Sequence, residues 1–204
     1  MLKIKILTII LLLTGCTIEM MPRHFEDDLY SKNSALVEKF SPDNILAFKK
    51  PTSPESIVPE EINYEQLGLI TRKAKYTWVI LSAPWCPDCY AELTSNIKKI
   101  DDFRKDSINM VLIYTNYDIN NIRKQLFRAQ YENRVYILSA KDYSSNESDK
   151  INKFTNQVLA HSEKLKKIIN PGSVPQNFFI SSGKLMKYKS GGRIDADSVI
   201  YYFK

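Results

Sequence analysis

Histidine and cysteine are scarce in this 204-residue chain, which has two histidines, His24 and His161, and three cysteines, Cys16, Cys86 and Cys89. The paired cysteines, Cys86 and Cys89, are accompanied by no second pair and no neighbouring histidine. That argues against a metal centre built from several soft ligands. The apolar run Ile6 to Leu13 is too short to cross a bilayer as a helix. Internal repeats, low-complexity tracts and nucleic-acid-binding motifs are also missing. Residues 1 to 15 contain no acid, so Lys3 and Lys5 supply two of the six net positive charges and about +4 belongs to the rest. The densest basic group, Lys164, Lys166 and Lys167, reads as a solvated helix face rather than an anion-binding patch.

A basic start, an apolar stretch and small residues before a cysteine form the pattern of an export signal. Leu13-Thr14-Gly15-Cys16 resembles the lipobox of bacterial lipoproteins. The resemblance implies that residues 1–15 are a signal peptide removed from the mature chain. Cys16 then becomes its lipidated first residue, and the protein is held on a membrane outside the cytoplasm, facing the periplasm or the cell surface. A plain signal or an uncleaved anchor would place the remaining residues in the same compartment. Thr17 stands where some bacteria use aspartate for inner-membrane retention, which points to outer-membrane or surface placement.

An exported protein with an odd number of cysteines leaves one to be explained, and lipidation of Cys16 accounts for it. The remaining pair lies in Trp85-Cys86-Pro87-Asp88-Cys89. A disulfide closing so short a loop constrains the unfolded chain little, so the pair is better suited to chemistry than to stapling.

Three regions follow from the sequence: the signal at 1–15, a lipidated tether and N-terminal extension at 16–60, and a folded domain at 61–204. Prolines 22, 42, 51, 54 and 59 mark the extension as largely irregular. Ala35 to Phe40 and Ile45 to Phe48 are apolar enough to dock on the domain. From Tyr64 onward helix and strand patterns alternate, which predicts a parallel or mixed sheet covered by helices. Strands are expected at Trp78 to Ser82, Met110 to Tyr114 and Val135 to Leu138. Leu93, Ile97 and Ile100 predict a helix starting near Cys86, and Ile119, Ile122 and Leu126 another. Ile151, Phe154, Val158, Leu165 and Ile168 trace a longer helical region with a break near His161. Ser181-Ser182-Gly183 reads as the turn of a hairpin between Asn177 to Ile180 and Lys184 to Lys189. Asp195 is placed to cap a last helix carrying Val199, Ile200 and Phe203.

The order of these features is similar to the thioredoxin fold: a Trp-Cys-x-x-Cys after a central strand, Val174-Pro175 just before another, and a glycine-turn hairpin leading to a terminal helix. More narrowly it resembles the TlpA/ResA-like group of exported thiol-disulfide oxidoreductases, over about residues 60 to 204. The resemblance implies an α/β protein of three layers, α/β/α, with a central mixed sheet and an extra strand-helix unit, within residues 133 to 170, before a cis-proline at Pro175. It implies that Val174 presents backbone groups to an extended substrate and that Trp85 shields the disulfide and offers an apolar contact. No cofactor beyond the Cys86–Cys89 redox disulfide is implied, and no metal. The partners implied are protein disulfides or dithiols and a membrane or periplasmic electron donor.

In the chemistry of such a pair the thiolate attacks, so Cys86 at a helix N-terminus is the nucleophile and Cys89, one turn on, resolves the mixed disulfide. Pro87 suits the first helical turn, where a missing N–H loses no bond. Asp88 disfavours a second negative charge beside the thiol, which leans the pair towards reducing its partners. Thioredoxins carry a buried aspartate six residues before the nucleophile, but this chain has Ile80. Glu92, one turn beyond Cys89, is a candidate replacement, although a helix acid is more commonly on the surface. A copper- or metal-binding chaperone and a non-catalytic binding lipoprotein are the competing readings. Peroxidase chemistry is disfavoured because residues 83–86, Ala-Pro-Trp-Cys, lack the threonine that peroxiredoxins place before their cysteine.

Overall fold

A strand covered on both faces carries an unbroken apolar run, and every residue from Thr77 to Ser82 is buried. This strand sits inside a seven-stranded sheet in the computed structural model, which describes residues 23–203 apart from 44, 47, 48, 161 and 163–172. The strands are β1 (Glu38–Lys39), β2 (Glu60–Ile62), β3 (Tyr76–Ser82), β4 (Ile108–Tyr114), β5 (Val135–Leu138), β6 (Gln176–Ser181) and β7 (Lys184–Ser190). The helices are α1 (Arg23–Asn33), α2 (Tyr64–Lys73), α3 (Pro87–Ile97), α4 (Ile100–Lys105), α5 (Ile119–Ala129) and α6 (Glu147–Leu159), followed by a 3₁₀ helix at Ala196–Tyr202. Spatial order is β1-β2-β5-β4-β3-β6-β7. The first five of these run parallel, whereas β6 and β7 are antiparallel to their neighbours.

Alternation along the strands sorts the core into two layers. Trp78 and Ile80 face one side with Met110, Leu112 and Tyr114, while Val79 and Leu81 face the other with Val111 and Ile113. On the first side Leu93 of α3, Phe103 of α4, Leu126 of α5 and Val199 of the 3₁₀ helix pack down. On the second, Leu67 and Ile70 of α2 and Phe154 and Val158 of α6 do so. This is the three-layer α/β/α arrangement with a mixed sheet expected from the sequence. Trp78 is the largest element of the first layer, with Phe103 edge-on at 5.7 Å and Phe179 stacked at 6.0 Å. Truncating a core side chain of that size to alanine costs about 3–5 kcal/mol.

The extra strand-helix unit is present. β5 lies between β4 and β2, and α6 follows it. Residues 38–39 pair with Glu60 and Glu61, so the N-terminal extension contributes an edge strand. Arg134, just before β5, fastens that extension. Its Nε donates to Glu60 Oε1 at 2.6 Å, and its Nη1 donates to the carbonyls of Ser41 and Asp43 at 3.1 and 2.9 Å. α1 docks through Tyr30, edge-on to Tyr117 at 4.9 Å, and Asn33, whose amide donates to the Tyr117 carbonyl at 2.9 Å.

Two elements differ from expectation. The helix expected to run through Ile100 ends at Ile97, and α4 starts after Lys99, whose carbonyl accepts from Asp102 and Phe103 at 3.0 and 3.1 Å. The break lets Phe103 turn inward onto Trp78. The last helix is 3₁₀ rather than α, although Asp195 caps it through the Asp197 N–H as expected. The β6–β7 turn has positive φ at Ser182 (47°) and Gly183 (82°), as a two-residue hairpin of the primed type requires. The signal, Cys16, His161, Lys164, Leu165, Lys166, Lys167 and Ile168 lie outside the described residues. Among those described, no helix is long and apolar enough to cross a membrane.

Candidate active site

α3 begins where β3 ends, and the two cysteines occupy that junction. Cys86 is the N-cap, with Pro87 first in the helix, where its lack of an N–H leaves no bond unmade. Cys86 Sγ accepts from the Cys89 N–H at 3.1 Å and is bonded to Cys89 Sγ. The Cys86 sulfur therefore lies against the unpaired N–H groups and positive end of a helix, the environment that stabilises a thiolate. The two cysteines are little exposed, Cys86 at 5% and Cys89 at 2%. Ala83 and Val174 pack over them.

The Val174–Pro175 peptide is cis. The Val174 carbonyl oxygen stands 3.9 Å from Cys86 Sγ, so the strand-entry loop of β6 forms one wall of the site. Gly191 N–H donates to the Pro175 carbonyl at 2.9 Å, tying this loop to the end of β7. Trp85 forms another side. It is 50% exposed, and its indole Nε1 donates to the Glu147 carboxylate at 3.0 and 3.3 Å.

The third side is the turn after β7. Gly191 and Gly192 both have positive φ, 69° and 70°, a conformation that glycine adopts without steric cost. The turn carries Arg193 and Ile194 back across α3. Arg193 Nη2 donates to Asp88 Oδ1 at 3.2 Å, and Ile194 N–H donates to Glu92 Oε1 at 3.0 Å. Glu92 is fully buried rather than on the surface, because its face of α3 packs against this segment. Burial pushes its pKa up to about 7, opposed by the Ile194 N–H and, more weakly, by Asn177 and the charges of Lys189 and Arg193. Glu92 Oε2 and Asn177 Nδ2 make no full hydrogen bond among the described residues. Ile80, in the position where thioredoxins carry an acid, is buried in the apolar core beside Leu93.

The structure thus brings Trp85, Cys86, Asp88, Cys89, Val174 and Pro175 together. Arg193, Glu147 and Asn177 join them without having been anticipated. The Gly191-Gly192 pair was a turn signal that could have pointed to Arg193, whereas nothing local marks Glu147 as a neighbour of Trp85. Among the described residues no three His, Cys, Asp or Glu side chains gather as metal ligands. A cavity of about 460 Å³ lined by Tyr64, Arg72, Val158 and Leu185 lies apart from the dithiol. The cysteine site lies instead where the start of α3, the Val174–Pro175 loop and the turn after β7 meet.

The strand order, the Cys-x-x-Cys helix and the cis-proline loop together form a thioredoxin-like arrangement. No protein-family model matches the chain, and no curated relative does. Solved structures that it is similar to include a thioredoxin-family thiol:disulfide interchange protein from Chlorobium tepidum TLS, at 19% identity and TM-score 0.45, covering 65% of this chain and 80% of that one. The thioredoxin domain of a thiol-disulfide oxidoreductase from Bacteroides vulgatus is similar at 17% identity and TM-score 0.46, covering 65% and 81%. StoA from Bacillus subtilis is similar at 18% identity and TM-score 0.41, covering 64% and 84%.

Proposed function

We propose that the protein is a TlpA/ResA-like thiol-disulfide oxidoreductase, tethered to a membrane outside the cytoplasm through lipidated Cys16 and reducing protein disulfides. The observation that carries the chemistry is the placement of Cys86 Sγ at the N-cap of α3, bonded to Cys89 and 3.9 Å from the Val174 carbonyl. In the reduced protein the Cys86 thiolate attacks one sulfur of a substrate disulfide. The substrate S–S bond breaks, a mixed disulfide forms, and the other substrate sulfur leaves as a thiolate. Cys89 then loses its proton and attacks Cys86 Sγ, which releases the second substrate thiolate and closes the Cys86–Cys89 disulfide. Two electrons pass to the substrate, and an electron donor restores the dithiol. Glu92, one turn beyond Cys89 with a pKa near neutrality, is suited to accept the Cys89 proton.

The reducing direction rests on the negative charges near the pair, Asp88 and ionised Glu92, which make the thiolate form less favourable and the dithiol a better donor. Arg193 offsets part of the Asp88 contribution.

The mature chain from Cys16 onward should reduce insulin disulfides, and Cys86→Ser should abolish this. Cys89→Ser should accumulate mixed disulfides with extracytoplasmic proteins. Wild-type activity in the Cys86→Ser variant would overturn the assignment. A reduction potential near −270 mV agrees with a reductase, whereas one near −120 mV would reverse the direction. Labelling of the exported protein by radioactive palmitate, and its loss in Cys16→Ser, tests the tether.

A further inference from the structure

We infer that Glu147 is a positioning residue for Trp85, through which the inserted strand-helix unit sets the docking surface for protein substrates. The inference rests on the oxidoreductase reading. Glu147 is the first residue of α6, directly after the Asn146 cap, whose side chain accepts from the Asp149 N–H at 3.0 Å. Its carboxylate receives the Trp85 indole N–H at 3.0 Å and, on the other side, the Thr115 hydroxyl. Thr115 is itself bound to the end of β3, its N–H donating to the Ser82 carbonyl at 3.0 Å and its hydroxyl lying 3.2 Å from the same oxygen. The end of β3, the end of β4, the start of α6 and the tryptophan of the cysteine motif are thereby joined in one chain of contacts.

The start of α6 is itself held firmly. Three residues after Glu147, the Lys150 side chain is buried, with Nζ 5.1 Å from the centre of the Tyr117 ring. The backbone at Glu147 therefore belongs to a packed element, and the carboxylate, held between Thr115 and the indole N–H, restrains the orientation of the ring. The indole has no other need of such an anchor, since it is 50% exposed and contributes little to the core. Trp85 directly precedes Cys86, and Ala83 and Val174 give the disulfide an apolar cover. A rigid, half-exposed tryptophan loses little conformational freedom when a partner packs on it, and tryptophan is enriched among the residues that dominate protein interfaces. The substrates it fits are protein disulfides flanked by apolar side chains.

Three variants test this, with insulin as the disulfide substrate and the two indole N–H resonances of Trp78 and Trp85 as reporters. Glu147→Ala removes the acceptor. Glu147→Asp keeps the charge at the helix N-terminus but withdraws the carboxylate by one methylene. Glu147→Gln keeps an acceptor oxygen at full reach. The Ala and Asp variants should raise KM about three- to tenfold with kcat within twofold, the range expected from losing one hydrogen bond. In both, the Trp85 resonance should move while that of Trp78 stays. Glu147→Gln should retain the wild-type KM and resonance. Should the Ala variant not fold, the Asp and Gln pair decides the matter. An unchanged KM in Glu147→Asp, or a loss in Glu147→Gln equal to that in the Asp variant, overturns the inference. Lack of exchange activity in the wild type would instead strike the oxidoreductase reading, and it would appear in every variant alike.

Discussion

Asp88, between the two cysteines, is paired with Arg193 of the glycine turn at 3.2 Å, although the two residues are 105 positions apart. The pair places a cation beside the acid that stands between Cys86 and Cys89 in the first turn of α3.

Arg193 should therefore influence the redox poise. Replacing it with alanine leaves the Asp88 charge unbalanced, makes the Cys86 thiolate less favourable and lowers the reduction potential. Both side chains are more than half exposed, so the interaction is worth at most about 1 kcal/mol, or roughly 20 mV for a two-electron couple. Adding Asp88→Asn should bring the value back towards wild type. Redox equilibration with a thiol buffer checks this, and a rise in potential in Arg193→Ala would contradict it.

Glu92 gives the fold a pH dependence with a definite sign. Its pKa rises from an ordinary value of 4.5 to about 7 on folding, chiefly through burial. The folded state thus holds a proton that the unfolded state has lost between these values, and stability falls as pH rises through that window. At pH 8 the full cost is on the order of 3 kcal/mol. Glu92→Gln should flatten the profile and be more stable than wild type at pH 8. Denaturant unfolding at pH 5 and pH 8 measures the difference, and parallel profiles would show that Glu92 is not the source.

Arg134 and Glu60 form a mostly buried ion pair that carries the N-terminal extension with it. Removing one partner leaves the other charge uncompensated, at a cost of about 3–5 kcal/mol. Arg134→Ala should unfold at lower denaturant and expose residues 38–59 to proteolysis before the rest of the domain. Uniform cleavage across the chain would show that the clasp does not act locally.

Gly183 tests the hairpin. A Cβ there meets the Arg72 side chain at 3.1 Å, and φ is 82°. Gly183→Ala should cost about 1–2 kcal/mol, with Gly183→Asn milder because asparagine tolerates this conformation. Equal stability of the Ala variant and wild type would exclude strain at this turn.

The central strands, the cysteine helix, the proline loop and the hairpin were legible because each has a local signature: an apolar run, a motif, or a turn pair. α1 and β1 were not. α1 has no repeating apolar stripe and docks through Tyr30 and Asn33, and β1 is a two-residue strand defined by its partner rather than by its own sequence. The break after Ile97 serves a tertiary contact, Phe103 on Trp78, that no periodicity records. At the site, Cys86, Cys89 and Pro175 could be read in advance, whereas the burial of Glu92 depends on a segment 102 residues away. Glu147 and Arg193 likewise come to the cysteines from remote stretches of chain, so only the folded topology brings them to the site.

The sheet has two free borders, and neither invites a neighbour. On one side it stops at the two-residue stub Glu38–Lys39, and on the other Lys184, Lys187 and Lys189 punctuate the outermost strand. Short or lysine-bearing borders are poor templates for strand addition. Copies crowded together would find, among the described residues, no long apolar strand edge along which to polymerise.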